Sequence, residues 1–167
     1  EGLVGSYFYV DSLNDTEKAK IALNLNFDML GSPNFQRGIL NGTSAVDCIN
    51  KGSSLIMQSF IDFFDSQGLT WQLIPFTGRS DYGPYLSVGI PAGGIETGAE
   101  VIKDMDGRKK FGGLADTAYD PCYHQACDTY DNINFEVLLQ MSQAAAYSLE
   151  HFAIQQDLKT LLGVTSA

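Results

Sequence analysis

Basic residues are scarce in this chain: 10 Lys and Arg stand against 20 acidic residues, a formal charge of −10. Phosphate backbones are bound by neutralising them with cations, so nucleic acid is not an expected partner. Long apolar runs are missing as well. Residues 73–76 are among the longest, far short of the about 18 residues a membrane helix requires, and neither a membrane span nor an intact signal peptide is expected. No Gly-x-Ser-x-Gly elbow occurs, which speaks against a serine hydrolase. Residues 89–98 are glycine-rich but lack the Lys-Ser/Thr ending and the following helix start of a phosphate loop. Cysteine is limited to three, enough for one disulfide and a leftover thiol. Cys122 and Cys127 read as the pair, and Cys48 has no identifiable base to make it a nucleophile. Histidine is rarer still, with only His124 and His151.

What is present suffices for one domain. Apolar residues make up 44% of 167 positions, enough to bury a sizeable core. Residues 2–13 carry a loose helical stripe without a proper cap. Residues 21–27 end in the alternation of a strand, and residues 28–34 supply the loop after it, so that Asp28 lies at a strand's carboxyl end. Residues 53–67 repeat apolar positions at three and four and are stopped by Gly68. Strands are expected over 69–76 and 85–91. A long helix over 134–156 should bury Val137, Leu138, Met141, Ala145, Leu149 and Phe152. Such alternation of strand and helix favours an α/β sandwich with a largely parallel or mixed sheet.

In α/β sheets sites gather outside the carboxyl ends of strands. Asp28 follows one strand, Arg79, Ser80 and Asp81 follow another, and His124 comes from the loop before the last helix, where a Cys122 to Cys127 clamp would hold its ring. A carboxylate and an imidazole converging from separate loops suit zinc, which takes oxygen and nitrogen ligands at about 2 Å. Each residue also has a plainer reading. Asp28 could cap a turn, His124 could simply be hydrogen-bonded, and Arg79 either anchors a substrate carbonyl or pairs with Asp81. Tyr123 either donates to a developing oxyanion or packs. Asn14 and Asn41 each head a glycosylation acceptor triplet. With the cysteine pair they favour an extracellular protein.

Four segments occur in one order: Gly2-Leu3-Val4-Gly5-Ser6 with Tyr9-Val10; residues 25–34 around Asn26-Phe27-Asp28-Met29; Gly78-Arg79-Ser80-Asp81; and Cys122-Tyr123-His124-Gln125-Ala126-Cys127-Asp128. The chain resembles the zinc aminopeptidases of peptidase family M28, in particular the secreted bacterial and fungal leucine-type enzymes. The resemblance runs over nearly the whole chain but meets only the carboxyl-terminal half of the family's catalytic domain. It implies a three-layer α/β/α sandwich with a mixed, largely parallel sheet, of which residues 1–167 are the carboxyl-terminal part.

In that family two zinc ions share a bridging aspartate, and each is completed by one His and one further carboxylate. Asp28 resembles the terminal carboxylate and His124 the last ligand. Tyr123 is similar to the tyrosine that donates to the transition state, Arg79 to an arginine near the substrate backbone, and Asp128 to a loop residue outside the metal site. The first His, the bridging Asp, the ligand Glu and the general-base Glu all precede this segment in the family. Glu1 falls at the variable position after a Glu-Glu pair, or, with a one-residue deletion, is itself the ligand. Tyr82 replaces a usual histidine, a change expected to affect only packing. Glu96 stands where related enzymes carry an apolar pocket residue, which favours polar or basic substrates.

The resemblance implies an aminopeptidase acting on peptides, completed by the amino-terminal half as a second chain and inactive without it. The rival reading is a non-catalytic binding protein in which Asp28 and His124 are relics.

Overall fold

The computed structural model describes residues 2–45 and 47–164, and Glu1 lies outside them. In chain order the elements are α1 (Val4–Ser12), α2 (Asp15–Lys18), β1 (Asn24–Phe27), β2 (Gly38–Leu40), α3 (Asp47–Ser66), β3 (Gln72–Ile74), α4 (Tyr82–Ser87), β4 (Ala92–Glu96), β5 (Ile102–Lys103), α5 (Met105–Phe111), β6 (Thr117–Ala118), α6 (Phe135–Ala153) and α7 (Leu158–Leu162). Four strands form one sheet in the order β1-β4-β2-β3, while β5 and β6 make a separate antiparallel pair. Within the larger sheet β1 is parallel to β4 and β2 to β3, and the two pairs meet antiparallel at β2 and β4.

Successive strand residues face opposite sides, and here the two sides bury different helices. Ile39 and Ile95 join Ile56 and Phe60 of α3 and Met141 of α6 in the main core. Their neighbours Leu40 and Ala92 pack instead with Tyr82 of α4. The sheet is therefore covered on both faces, as the α/β/α expectation requires. Ile56, Phe60 and Phe64 of α3 are completely buried, and the helix ends before Gly68, which takes the left-handed conformation at φ 63°.

Two expectations need correction. Residues 85–91 are not a strand: Tyr85 belongs to α4, and the strand is β4 in the glycine-rich stretch. Its glycines are packing devices. A Cβ on Gly93 would lie 2.4 Å from Ile56 Cγ2, so the bare backbone is what admits α3 against the sheet. The buried stripe of α6 is also rotated, running through Val137, Met141, Ala144, Ser148 and Phe152, with Leu149 exposed. The cause is a close approach of α6 to α3, where the hydroxyls of Ser59 and Ser148 sit 2.8 Å apart with both residues buried. A large side chain at 148 would prevent it. Strand β3 is shorter than the expected 69–76, and Pro75 follows its last residue.

Beside the sheet, Lys103 of β5 is fully buried. Its Nζ donates to the Gly112 carbonyl at 3.0 Å and lies over the rings of Phe35 and Tyr119, 5.7 and 5.4 Å from their centroids. Burial lowers its pKa to about 8. Between about pH 8 and the unfolded value near 10.4 this side chain holds its proton better in the unfolded chain than in the native one, so its contribution to stability rises with pH across that window. The expected gain is up to about 3 kcal/mol, read as a rising denaturation midpoint. Lys103→Met should flatten that rise.

Candidate functional site

Pairing of Phe27 with Ile95 brings the ends of the parallel strands β1 and β4 level, so that Asp28 and Glu96 emerge side by side at one end of the sheet. Strand β3 runs the other way. Its first residue, Gln72, lies at this end, and the chain beyond Ile74 must return across the sheet before Ser80 reaches Asp28. The placement of Arg79 and Ser80 thus owes nothing to a strand's carboxyl end, contrary to the expectation. It depends on a loop held by Tyr82, whose hydroxyl accepts from the backbone N–H of Thr77 at 2.8 Å and of Gly78 at 2.9 Å. Tyr82 therefore does more than pack.

A cavity of about 430 Å³ opens here, with Asp28, Met29, Arg79, Glu96, Tyr119 and Tyr123 among its walls. Ser80 donates its hydroxyl to Asp28 Oδ2 at 2.7 Å and is itself fixed by Asn26 Nδ2 at 2.9 Å. Both supporting residues are buried. The next residue, Met29, has φ 52°, a region costly for a bulky side chain. Its carbonyl is held by the backbone N–H of Thr97 at 2.6 Å and also by the Thr97 hydroxyl. The end of β4 thereby locks the turn that presents Asp28.

The second strained position is His124, at φ 56°. Its ring stacks on Tyr123, a residue of the cavity wall, with centroids 3.9 Å apart and planes 20° from parallel. The Cys122–Cys127 disulfide closes the loop across a Cα separation of 5.3 Å, and Cys48 is free and exposed. A buried carboxylate anchors the loop from below: Asp120 Oδ1 accepts from Cys122 N and from Asn132 Nδ2, both at 2.9 Å.

Arg79 pairs with Glu100 at 2.6 Å rather than with Asp81, its expected partner. A partner 21 residues away in sequence becomes available because β4 ends at the same cavity. Both side chains are exposed, so the pair adds little stability. The carboxyl of Glu100 is lowered, first by a hydrogen bond from its own backbone and then by Arg79, with His124 adding a smaller effect. Glu96 moves the opposite way, raised by burial and then by the neighbouring charge of Asp28.

Four expected site residues, Asp28, Arg79, Glu96 and Tyr123, thus share one cavity, with His124 stacked against the last. Asn14 and Asn41 are not in its wall: they cap α2 and the turn at Gly42–Ser44. Asp128 is exposed, with its backbone N–H bonded to Gln125 O. Ser80, Asn26, Thr97, Glu100 and Asp120 were not assigned roles from sequence. Ser80 and Asn26 carry a sequence signal, the first between Arg79 and Asp81 and the second two residues before Asp28. For zinc, the donors on offer are the Asp28 carboxylate and the His124 imidazole, an oxygen and a nitrogen of the kinds that metal takes. Among the described residues no group of three His, Cys, Asp or Glu is placed to hold a metal ion.

The family model for peptidase family M28 matches residues 1–149. Leucine aminopeptidase 2 of Trichophyton equinum is 48% identical over 154 residues, and the protein of the same name from Arthroderma otae 47%; each alignment covers 91% of this chain and 31% of the relative. The chain spans about a third of the length of these relatives. Among solved structures, a zinc aminopeptidase from Bacillus subtilis superposes with a TM-score of 0.64 at 21% identity, over 93% of this chain and 34% of the other.

Proposed function

Because the chain belongs to peptidase family M28, we propose that it is the carboxyl-terminal part of a single catalytic domain of a secreted, zinc-dependent aminopeptidase. The observation that carries this reading is the convergence of Asp28, Arg79, Glu96 and Tyr123 on one cavity, with the His124 ring stacked on Tyr123. Asp28 would hold one of two zinc ions and His124 the other, with the remaining ligands and the general base supplied by the part of the domain that precedes these residues in the family. Bound zinc supplies Lewis-acid polarisation of the scissile carbonyl.

The residues of this chain do the positioning. Ser80 holds one oxygen of Asp28 and leaves the other free for a metal. The Tyr123 hydroxyl donates a hydrogen bond to the oxyanion that develops as the peptide carbonyl is attacked. Arg79 orients the substrate backbone, and Glu96 meets the substrate's first side chain. An amino-terminal partner suits the edge of β1, which pairs with no further strand among the described residues; there Asn24 Oδ1 is buried with no hydrogen-bond partner among those residues, and Val4, Tyr7, Phe8 and Tyr9 of α1 are exposed. Asn14 and Asn41 are proposed glycosylation sites.

The test is hydrolysis of an aminoacyl-nitroanilide by the native protein together with its amino-terminal half. Activity should vanish with a chelator and return with zinc. Tyr123→Phe should lower kcat by about 10²-fold to 10³-fold, the usual cost of losing one oxyanion donor, with little change in KM. Zinc-independent behaviour, or no hydrolysis by the assembled halves, would favour the non-catalytic reading.

A further inference from the structure

The chemistry of the cavity wall is lopsided. Its one cation among the residues described is Arg79, and that charge is already engaged by Glu100 at 2.6 Å. Glu96 sits deeper, at the end of β4, mostly withdrawn from water, and makes no salt bridge with any described residue. The same cavity wall includes Met29, Ile74, Pro75 and the rings of Tyr119 and Tyr123 beside the polar Gln36 and Gln72. An anion withdrawn from water is costly without a counter-charge. The nearest cation, Arg79, acts on Glu96 only at a distance and is paired with Glu100, and the cavity gives a ligand's cation room to reach the Glu96 carboxylate.

We infer that Glu96 selects substrates whose first residue carries a basic side chain, lysine or arginine, by pairing with that side chain inside the cavity. This rests on the aminopeptidase reading and names its substrate class. The aliphatic stem of a lysine would lie along Met29 and the tyrosine rings while its ammonium meets the carboxylate, an arrangement long basic side chains favour. Glu96 also explains a discrimination that charge alone could not: every peptide offers a cationic α-amino group, but only a basic first residue offers a second cation several atoms away.

The experiment compares lysine with norleucine, which has a similar stem and no charge. With the assembled protein, kcat/KM for the lysyl-nitroanilide should exceed that for the norleucyl compound by at least about tenfold, the step that about 1.4 kcal/mol of differential binding provides. Glu96→Leu should invert the ratio, and Glu96→Gln should bring it near unity. A norleucyl preference in the native protein, or a ratio unmoved by Glu96→Gln, would overturn the inference. Calorimetric binding of lysine amide and norleucine amide to the same proteins decides separately if no substrate is hydrolysed. A lysine amide preference lost in Glu96→Gln would then support the subsite while the peptidase reading falls. Equal binding of both amides would overturn the subsite as well.

Discussion

Replacing Asp28 with Ala, or His124 with Ala, will remove zinc and lower kcat/KM by at least about 10³-fold, because groups that act as one catalytic unit lose most of its effect when any one is removed. Both side chains are exposed, so His124→Ala should cost little stability, while Asp28→Ala takes the acceptor from the buried Ser80 hydroxyl and should cost about 1–3 kcal/mol. The separation between function and folding at His124 is what makes the experiment informative. Ser80→Ala should show an intermediate effect, about 10-fold to 100-fold weaker metal affinity, since Ser80 fixes Asp28 without being a ligand. Elemental analysis of the purified variants and urea denaturation read the two quantities independently. Retained zinc and activity in either alanine variant would remove that residue from the metal site.

The largest stability effect is expected at Phe60→Ala. Phe60 is fully buried in α3 and meets the Phe27 ring of β1 edge-on, with centroids 6.3 Å apart. Truncating a buried phenylalanine costs about 3–5 kcal/mol, a large part of the about 5–15 kcal/mol that holds a typical domain together. Because Phe27 immediately precedes Asp28, the loosened contact should also weaken zinc retention before global unfolding. Denaturant titration monitored through the single Trp71 measures the first effect. A loss below about 1 kcal/mol would mean that the core relaxes into the space left behind.

Much of this fold could be read from local pattern. The apolar spacing of α3 and its stop at Gly68, the strand before Asp28 and the helix following Asn134 all follow from periodicity and capping. At the start of α6 the Asn134 side chain accepts from Val137 N, a cap seen only in the structure. What periodicity could not reveal was set by neighbours distant in sequence. Strand β4 hides in a run of glycines because α3 needs the space above Gly93. The buried stripe of α6 turns toward Ser148 because Ser59 lies opposite.

The candidate site divides in the same way. Asp28, Arg79, Tyr123 and His124 stood out because their segments carry recognisable chemistry in a recognisable order. Beyond Ser80 and Asn26, which share those segments, their supports do not, since each is an ordinary polar residue until the fold brings it near. Thr97 locks the left-handed Met29 from 68 positions away, and Glu100 claims Arg79 from across the cavity. The reversed direction of β3 is a topological fact that no single segment encodes.

The most direct measurement is anomalous diffraction at the zinc edge from crystals of this chain assembled with its amino-terminal half. Two zinc peaks are predicted, one within coordinating distance of the Asp28 carboxylate and the other of the His124 imidazole. Zinc bound elsewhere, with neither side chain in contact with a metal, would contradict the assignment of this cavity as a shared dizinc site.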